Sequence, residues 1–426
     1  MTSIDPDVLR AAIEEERDAG IALLMDLVRA QSTVGQEQGA LRVLESTLEE
    51  LGFSIRRIPI PSDIGADPLA GIPQGPYEGR FEVLGEMPRT GGATLLLNGH
   101  IDVVPADDKS WERDPFSPWT HDGWLYGRGA GDMKAGLVMA IMALRALRHL
   151  APECIDHDIS FLGVIEEECT GNGTLAALRA GVQADVVVLP EPTDLSVLLG
   201  GVSITWLEVE ITFGGGHAES SGRLEQPSVV LTRLIDSFRA LEDELNEHPA
   251  PPFDQLERPY NLNIGEVRLG DWPSSVPSRL KLGLRVAHDG TVNHDETQRL
   301  VEARVNTVIS ELRSVRSCIV RQSGFRTEAH HIDNDHPLVR AITQAHTELH
   351  GSAPHASVIG STTDARFYLN QAGIPAVCFG PIVRNMHGTN ECVELDSITK
   401  GAQTLANFIW KYQTAGGLGG YTEGRW

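Results

Sequence analysis

The chain has 426 residues, 41% of them hydrophobic and 22% charged, with 35 Lys and Arg against 59 Asp and Glu for a formal net charge of −24. That length exceeds one ordinary core, so two or more folded, soluble domains are expected. A surface this acidic repels phosphate backbones and argues against nucleic acid as a partner, and no apolar run reaches the roughly 18 residues that would suggest a membrane partner.

Residues 5–31 read as one helix: Asp5 can cap it, Pro6 suits the first turn, and Ile13, Leu23, Leu24, Leu27 and Val28 recur near helical spacing. The opening "MTSIDPDVLRAAIEEERDAG" has no basic stretch leading into an apolar core, so no signal peptide is expected. "VLESTLEELGFSIRRIPI" is a helix, a stop at Gly52 and a strand, and residues 61–92, rich in Pro and Gly, read as a long loop. "ATLLLNGHIDVV" is a strand. "MKAGLVMAIMALRALRHL" is an apolar helix after a Gly-rich turn, and "DISFLGVIEEE" is a strand ending in three acids. "GTLAALRAG" is a helix and "ADVVVLPEPT" another strand. Continuous apolar strands alternating with helices indicate an α/β sheet covered on both faces.

The pattern changes near residue 201. "SITWLEVEITFGGGHAES" alternates apolar and polar residues, as in a sheet with one wet face. A helix ("SVVLTRLIDSFRALEDELNEH"), two strands ("NLNIGEVRLG", "SRLKLGLRVAH") and a helix ("DETQRLVEARVNTVISELRSV") complete an α+β module. Near residue 325 the α/β pattern resumes with the helix "HPLVRAITQAHTELHG" and the buried strand "IPAVCFGP". The expected layout is a discontinuous α/β domain (1–200 and 325–426) interrupted by an inserted α+β domain (201–324). The tail "TAGGLGGYTEGRW" reads as flexible, and Trp124 and Trp272 as packing residues. The five cysteines form no C-x-x-C pair, which suits reduced thiols in a cytoplasm.

Polar residues gather at strand ends. His100 and Asp102 are two apart and so share a face at the carboxyl end of a strand, where open α/β sheets bind ligands. Asp132 lies in a Gly-rich turn before a helix. Glu166, Glu167 and Glu168 end the next strand, Glu191 ends another, and His387 sits in a late loop. Any one of these reads equally well as a solvated loop acid or a satisfied histidine. Together they converge on one sheet edge. Two histidines among carboxylates suit zinc or another borderline divalent ion, and are too rich in nitrogen for a calcium cage.

The segments "GHIDVVP", "W-x-x-DPF" (residues 111–116), "GWLYGRGAGDMKAG", "EEECTGNGT", "EPT", "GHAESS", "STTDARF", "GIPAVCFGP" and "H-x-x-N-E" from His387 run in this order along nearly the whole chain. In them the sequence resembles the co-catalytic metallohydrolase family of acetylornithine deacetylase, succinyl-diaminopimelate desuccinylase and carboxypeptidase G. The resemblance implies a zinc-peptidase-like α/β catalytic domain with a mixed sheet flanked by helices. It also implies a smaller ferredoxin-like α+β insert that closes as a lid and forms a homodimer. It implies two divalent metal ions, zinc with cobalt or manganese as alternatives. His100 and Glu191 would hold one, Glu168 and His387 the other, and Asp132 would bridge them. Asp102 would orient His100, and Glu167 would be the general base. The Asp132–Met133 bond would be a cis peptide.

Gly171 and Gly173 fall where the family has glycines if Glu167 is the base and Glu168 the ligand; a slip of one residue would give Glu166 and Glu167 instead. By the same resemblance His217 would reach across the dimer interface to stabilise an oxyanion, Arg285 would grip a substrate carboxylate, and Asn263 would add a lid contact. The chain reads "RLEQPSVV" where the family has a Gly-x-Asn-Ala segment. The implied activity is hydrolysis of the amide C–N bond in a small N-acylated substrate, with acetyl, formyl or succinyl amino acids foremost. A dipeptidase or carboxypeptidase, an amidohydrolase of a heteroaromatic amide, and a silent ligand-binding relative stand as alternatives.

Overall fold

The computed structural model describes residues 4–106 and 109–421. The N-terminal helical segment is two helices, Pro6–Glu15 and Arg17–Arg29, with Glu16 as a one-residue break between them. Asp5 caps the first by accepting a hydrogen bond from the Asp7 amide.

A nine-stranded mixed sheet forms the larger body. Its order is Ser54–Pro59, Phe81–Glu86, Ile159–Val164, Leu95–His100, Val186–Leu189, Ala376–Cys378, Val197–Gly201 and His330–His331, with Ala356–Ile359 also pairing to Val197–Gly201. The apolar helix Ala135–Leu150 is buried almost all round, against Leu395–Ala415 and Arg17–Arg29. Strand Phe81–Glu86 lies inside the stretch read from sequence as loop. Its Glu82 is fully buried and accepts a hydrogen bond from the Ile165 amide.

A second sheet of four antiparallel strands runs in the order Leu262–Leu269, Arg279–His288, Ser203–Phe213, Val315–Thr327. Helices Pro227–Leu245 and His294–Ile309 complete a strand-helix-strand-strand-helix-strand sequence, and the middle position of the third strand between the second and first gives the ferredoxin-like order. The fourth strand, "VRSCIVRQSGFRT", is charged along its length and was not legible as a strand. Leu207, Val209, Ile211 and Phe213 form this sheet's core with Leu234, Phe238 and Val301.

A short hairpin, Trp119–His121 and Trp124–Tyr126, extends a third sheet through Cys392–Glu394. The Arg384 guanidinium lies over the Trp124 ring at 4.2 Å, whereas Trp272, expected to pack, is 68% exposed. The tail is helical to Ala415 and turns again over Leu418–Tyr421; residues 422–426 lie outside the described residues. Among the described residues no helix is long and apolar enough to cross a membrane.

Candidate active site

Strands Leu95–His100, Ile159–Val164 and Val186–Leu189 are parallel, so their carboxyl ends share one edge of the sheet. His100 ends the first, Glu167 and Glu168 follow the second, and Glu191 follows the third. The turn Ala130–Lys134 brings Asp132 in from the side, and its Asp132–Met133 peptide is cis. This turn can lie close because the first turn of the next helix, Ala135–Leu150, carries Gly136: a Cβ there would sit 1.7 Å from the Pro190 carbonyl oxygen.

His100 Nδ1 lies 2.9 Å from the main-chain oxygen of Asp102. A carbonyl only accepts, so Nδ1 donates to it and Nε2 is the ring nitrogen turned to the cluster, the one that would present its lone pair to a metal ion on losing its proton. The Asp102 carboxylate is farther from that ring, at 3.7 Å, and instead accepts the Glu167 and Glu168 amides at 3.2 and 3.1 Å. Asp102 therefore aims the histidine with its backbone and fixes the turn of acids with its side chain.

His100 Nε2 is 3.1 Å from Asp132 Oδ1 and 3.8 Å from Glu191 Oε2. His387 Nε2 is 3.2 Å from Asp132 Oδ2 and 3.0 Å from Glu168 Oε2. The two oxygens of one carboxylate thus face two different imidazoles. Two groups of potential ligand atoms result, His100–Asp132–Glu191 and Asp132–Glu168–His387, each with its atoms within 4.8 Å of one another. Glu167 Oε2 approaches His100 Nε2 at 4.0 Å.

The three acids do not lie on a strand. The strand stops at Val164 and Glu166 adopts a positive φ of 64°, so pleat alternation does not govern them. Glu166 points elsewhere, accepting from Tyr77 Oη (2.6 Å), Arg80 (2.5 Å) and Thr170 Oγ1 (2.6 Å). Arg80 also bonds Glu37, and both of its acid partners are buried.

Electrostatics follow from burying many carboxylates beside two imidazoles. Burial pushes Asp102 up to about 7 and Glu191 up to about 8, and raises Glu167 well above the carboxylate range against the opposing pull of His100. Burial also disfavours the Asp132 anion, but hydrogen bonds from both histidines outweigh it and hold its pKa low. The Glu168 charge lifts His387 to about 11. An excess of buried oxygen donors over cations, with one imidazole per group, is the donor chemistry that divalent borderline metals fit.

Glu391, the last residue of "H-x-x-N-E", has no role implied by the resemblance. Its carboxylate accepts the amides of Gly129 (3.1 Å), Gly131 (2.9 Å) and Asp132 (3.1 Å) and the Arg128 guanidinium (2.6 Å). Arg128 in turn donates to the main-chain oxygens of His387 and Gly388. The Asp132 turn and the His387 loop are thereby clamped around one buried acid.

A cavity of about 260 Å³ is lined by Asp132, Glu167, Glu168, Glu191 and His387 together with Trp206, Arg285 and Phe325. Arg285 donates to Asn261 Oδ1 and, at 3.0 Å, to the Gly360 carbonyl. Asn261, not singled out from sequence, is its side-chain partner; Asn263 is exposed and outside the cavity lining. His217 lies on the short strand Gly216–His217, 72% exposed, and is not brought to the cavity within this chain.

Residues 96–411 match the family described as Peptidase family M20/M25/M40. The chain is 30% identical to a succinyl-diaminopimelate desuccinylase of Methylobacterium radiotolerans over 90% of this chain and 94% of that one. It is 26% identical to the N-formyl-4-amino-5-aminomethyl-2-methylpyrimidine deformylase of Bacillus subtilis, over 94% and 96%. Human carnosine dipeptidase 1 shares the fold with a TM-score of 0.77 at 20% identity, over 96% of this chain and 100% of that one. With its two groups of metal-ligand side chains, the chain belongs to peptidase family M20/M25/M40 and is a metal-dependent hydrolase of amide bonds.

Proposed function

We propose that the protein removes the acyl group from a small N-acylated amino acid, using two divalent metal ions. The observation that carries this reading is Asp132, whose two oxygens face His100 and His387 separately. His100, Asp132 and Glu191 would hold one ion and Asp132, Glu168 and His387 the other, with zinc favoured by the mixed nitrogen and oxygen donors and cobalt or manganese as alternatives. When bound, such ions polarise the scissile carbonyl and bring the pKa of water toward roughly 7.

The chain's own residues do the rest. Glu167 takes the proton from water at its carboxylate and returns it to the leaving nitrogen. Asp102 holds the amides of Glu167 and Glu168, so base and ligand keep a fixed spacing. Arg285 meets a substrate carboxylate. Among the described residues no acid pairs with its guanidinium, and burial alone brings its pKa down to about 10. Asn263 would join it when the smaller sheet closes. His217, exposed on that same unit, would serve the site of a second copy in a homodimer and stabilise the oxyanion there. The unpaired thiols fit a reducing compartment such as the cytoplasm.

The test is hydrolysis of N-acetyl, N-formyl and N-succinyl amino acids and of dipeptides by protein reconstituted with zinc, cobalt or manganese. Turnover of one acyl class, lost when the substrate carboxylate is amidated, is expected. Preferential cleavage of free dipeptides would instead favour a dipeptidase, and failure to cleave any amide would overturn the reading.

A further inference from the structure

Part of the cavity lining, Ile204, Trp206, Arg285 and Phe325, comes from the four-stranded sheet. Its register sets Asn263 opposite Arg285, and Arg285 opposite Trp206. Residues directly opposite in an antiparallel pair share a face, so these three form a transverse row. Along Ser203–Phe213 the alternate residues Leu207, Val209 and Ile211 are buried in this sheet's own core. Trp206 is therefore on the other face, with Glu208 and Glu210. Those two acids are satisfied by ion pairs with Lys281, Arg321 and Arg279. At the cavity end of this charged face the chain places an indole.

Local backbone chemistry seats it there. The pairing of Val315–Thr327 shifts between Gln322 and Arg326, extruding a bulge that contains Gly324 and Phe325. Gly324 has φ +66°, and a Cβ on it would stand 2.3 Å from Trp206 Cε3, so only glycine leaves room for the ring. Phe325 meets the indole edge-on, with centroids 5.1 Å apart and planes at 84°. Both rings line the cavity beside Leu198, Ile204 and Ile359.

This wall offers apolar and aromatic surface next to a guanidinium that lacks an acid partner among the described residues. A purely polar substrate would leave that surface in contact with water. A ligand whose flat ring lies a few bonds from a carboxylate would cover the rings and reach Arg285 together. We propose that Trp206 and Phe325 form a shelf for an aromatic ring on the amine side of the scissile bond, so that the preferred substrates are N-acylated aromatic amino acids. This rests on the amide-hydrolase reading above and narrows it: N-succinyl-diaminopimelate, with a charged flexible chain on the shelf, is expected to be a poor substrate.

The experiment compares kcat/KM for N-acetylphenylalanine, N-acetyltryptophan, N-acetylalanine and N-succinyl-diaminopimelate in zinc-reconstituted wild type, Trp206→Ala and Trp206→Phe. Calorimetric binding of phenylalanine and alanine to the same proteins accompanies it. The wild type should favour the aromatic substrates by at least about tenfold, the scale on which a hydrophobic pocket discriminates. Trp206→Ala should bring that ratio toward one, and Trp206→Phe should keep most of it. Equal efficiencies in the wild type, or an equal loss on all substrates in Trp206→Ala, would overturn the shelf. If no amide is cleaved, the hydrolase reading fails separately and calorimetry decides the shelf. Tighter binding of phenylalanine than alanine that is lost in Trp206→Ala upholds it, and equal or no binding refutes it.

Discussion

Glu167→Gln is expected to lower kcat by roughly 10²–10⁴-fold, the contribution of a positioned general base, while metal content and melting temperature stay near those of the wild type. The side chain is buried beside the two ligand groups, 4.0 Å from His100 Nε2, yet belongs to neither group. Glutamine keeps its size and removes only the ability to accept and return a proton. Metal analysis separates this from a ligand defect: a variant that loses metal would place Glu167 among the ligands. Its neighbour provides the contrast. Glu166 is bound by Tyr77, Arg80 and Thr170, so Glu166→Gln should damage folding before it damages chemistry.

The second large effect is on stability. Arg80→Met should destabilise the protein by about 3–5 kcal/mol, because it strands Glu37 and Glu166 as buried carboxylates with no cation. The guanidinium is the bridge between Glu37, at the N-terminal cap of helix Gln38–Glu50, the segment after Tyr77 and the turn of acids. Urea denaturation of the full chain measures the loss, and a change below about 1 kcal/mol, the size of an exposed pair, would mean that water already serves these acids. Activity should fall as well, since the Glu166 turn leads directly into Glu167 and Glu168.

What was legible in the sequence was the chemistry that depends on residue type and order. His100, Glu168 and Glu191 end or follow apolar strands, Asp132 lies in a glycine-rich turn and His387 in a late loop, and strand ends of one sheet meet at one edge. The structure brings those five together. What was not legible depends on contacts distant in sequence. Arg80 and Tyr77 reach Glu166 across more than 80 residues, from a Pro/Gly-rich stretch that read as loop. Strand Phe81–Glu86 within that stretch was hidden by Glu82, whose burial makes sense only beside the Ile165 amide. The three-acid run was treated as strand, and the positive φ of Glu166 is what lets both Glu167 and Glu168 face the cavity. Asp102 was expected to orient His100, and that its carbonyl rather than its carboxylate lies nearest the ring is a distinction that no residue name carries. Trp206 was not singled out from the sequence; only register with Arg285 and the bulge at Gly324 reveal its neighbours.

The most direct test of the two-metal account is metal content per chain by elemental analysis after reconstitution with zinc, for the wild type and Asp132→Ala. Two equivalents in the wild type, with both lost or severely weakened in Asp132→Ala, is the predicted result, because that carboxylate belongs to both ligand groups. A single equivalent in the wild type, or two that survive the loss of Asp132, would contradict it.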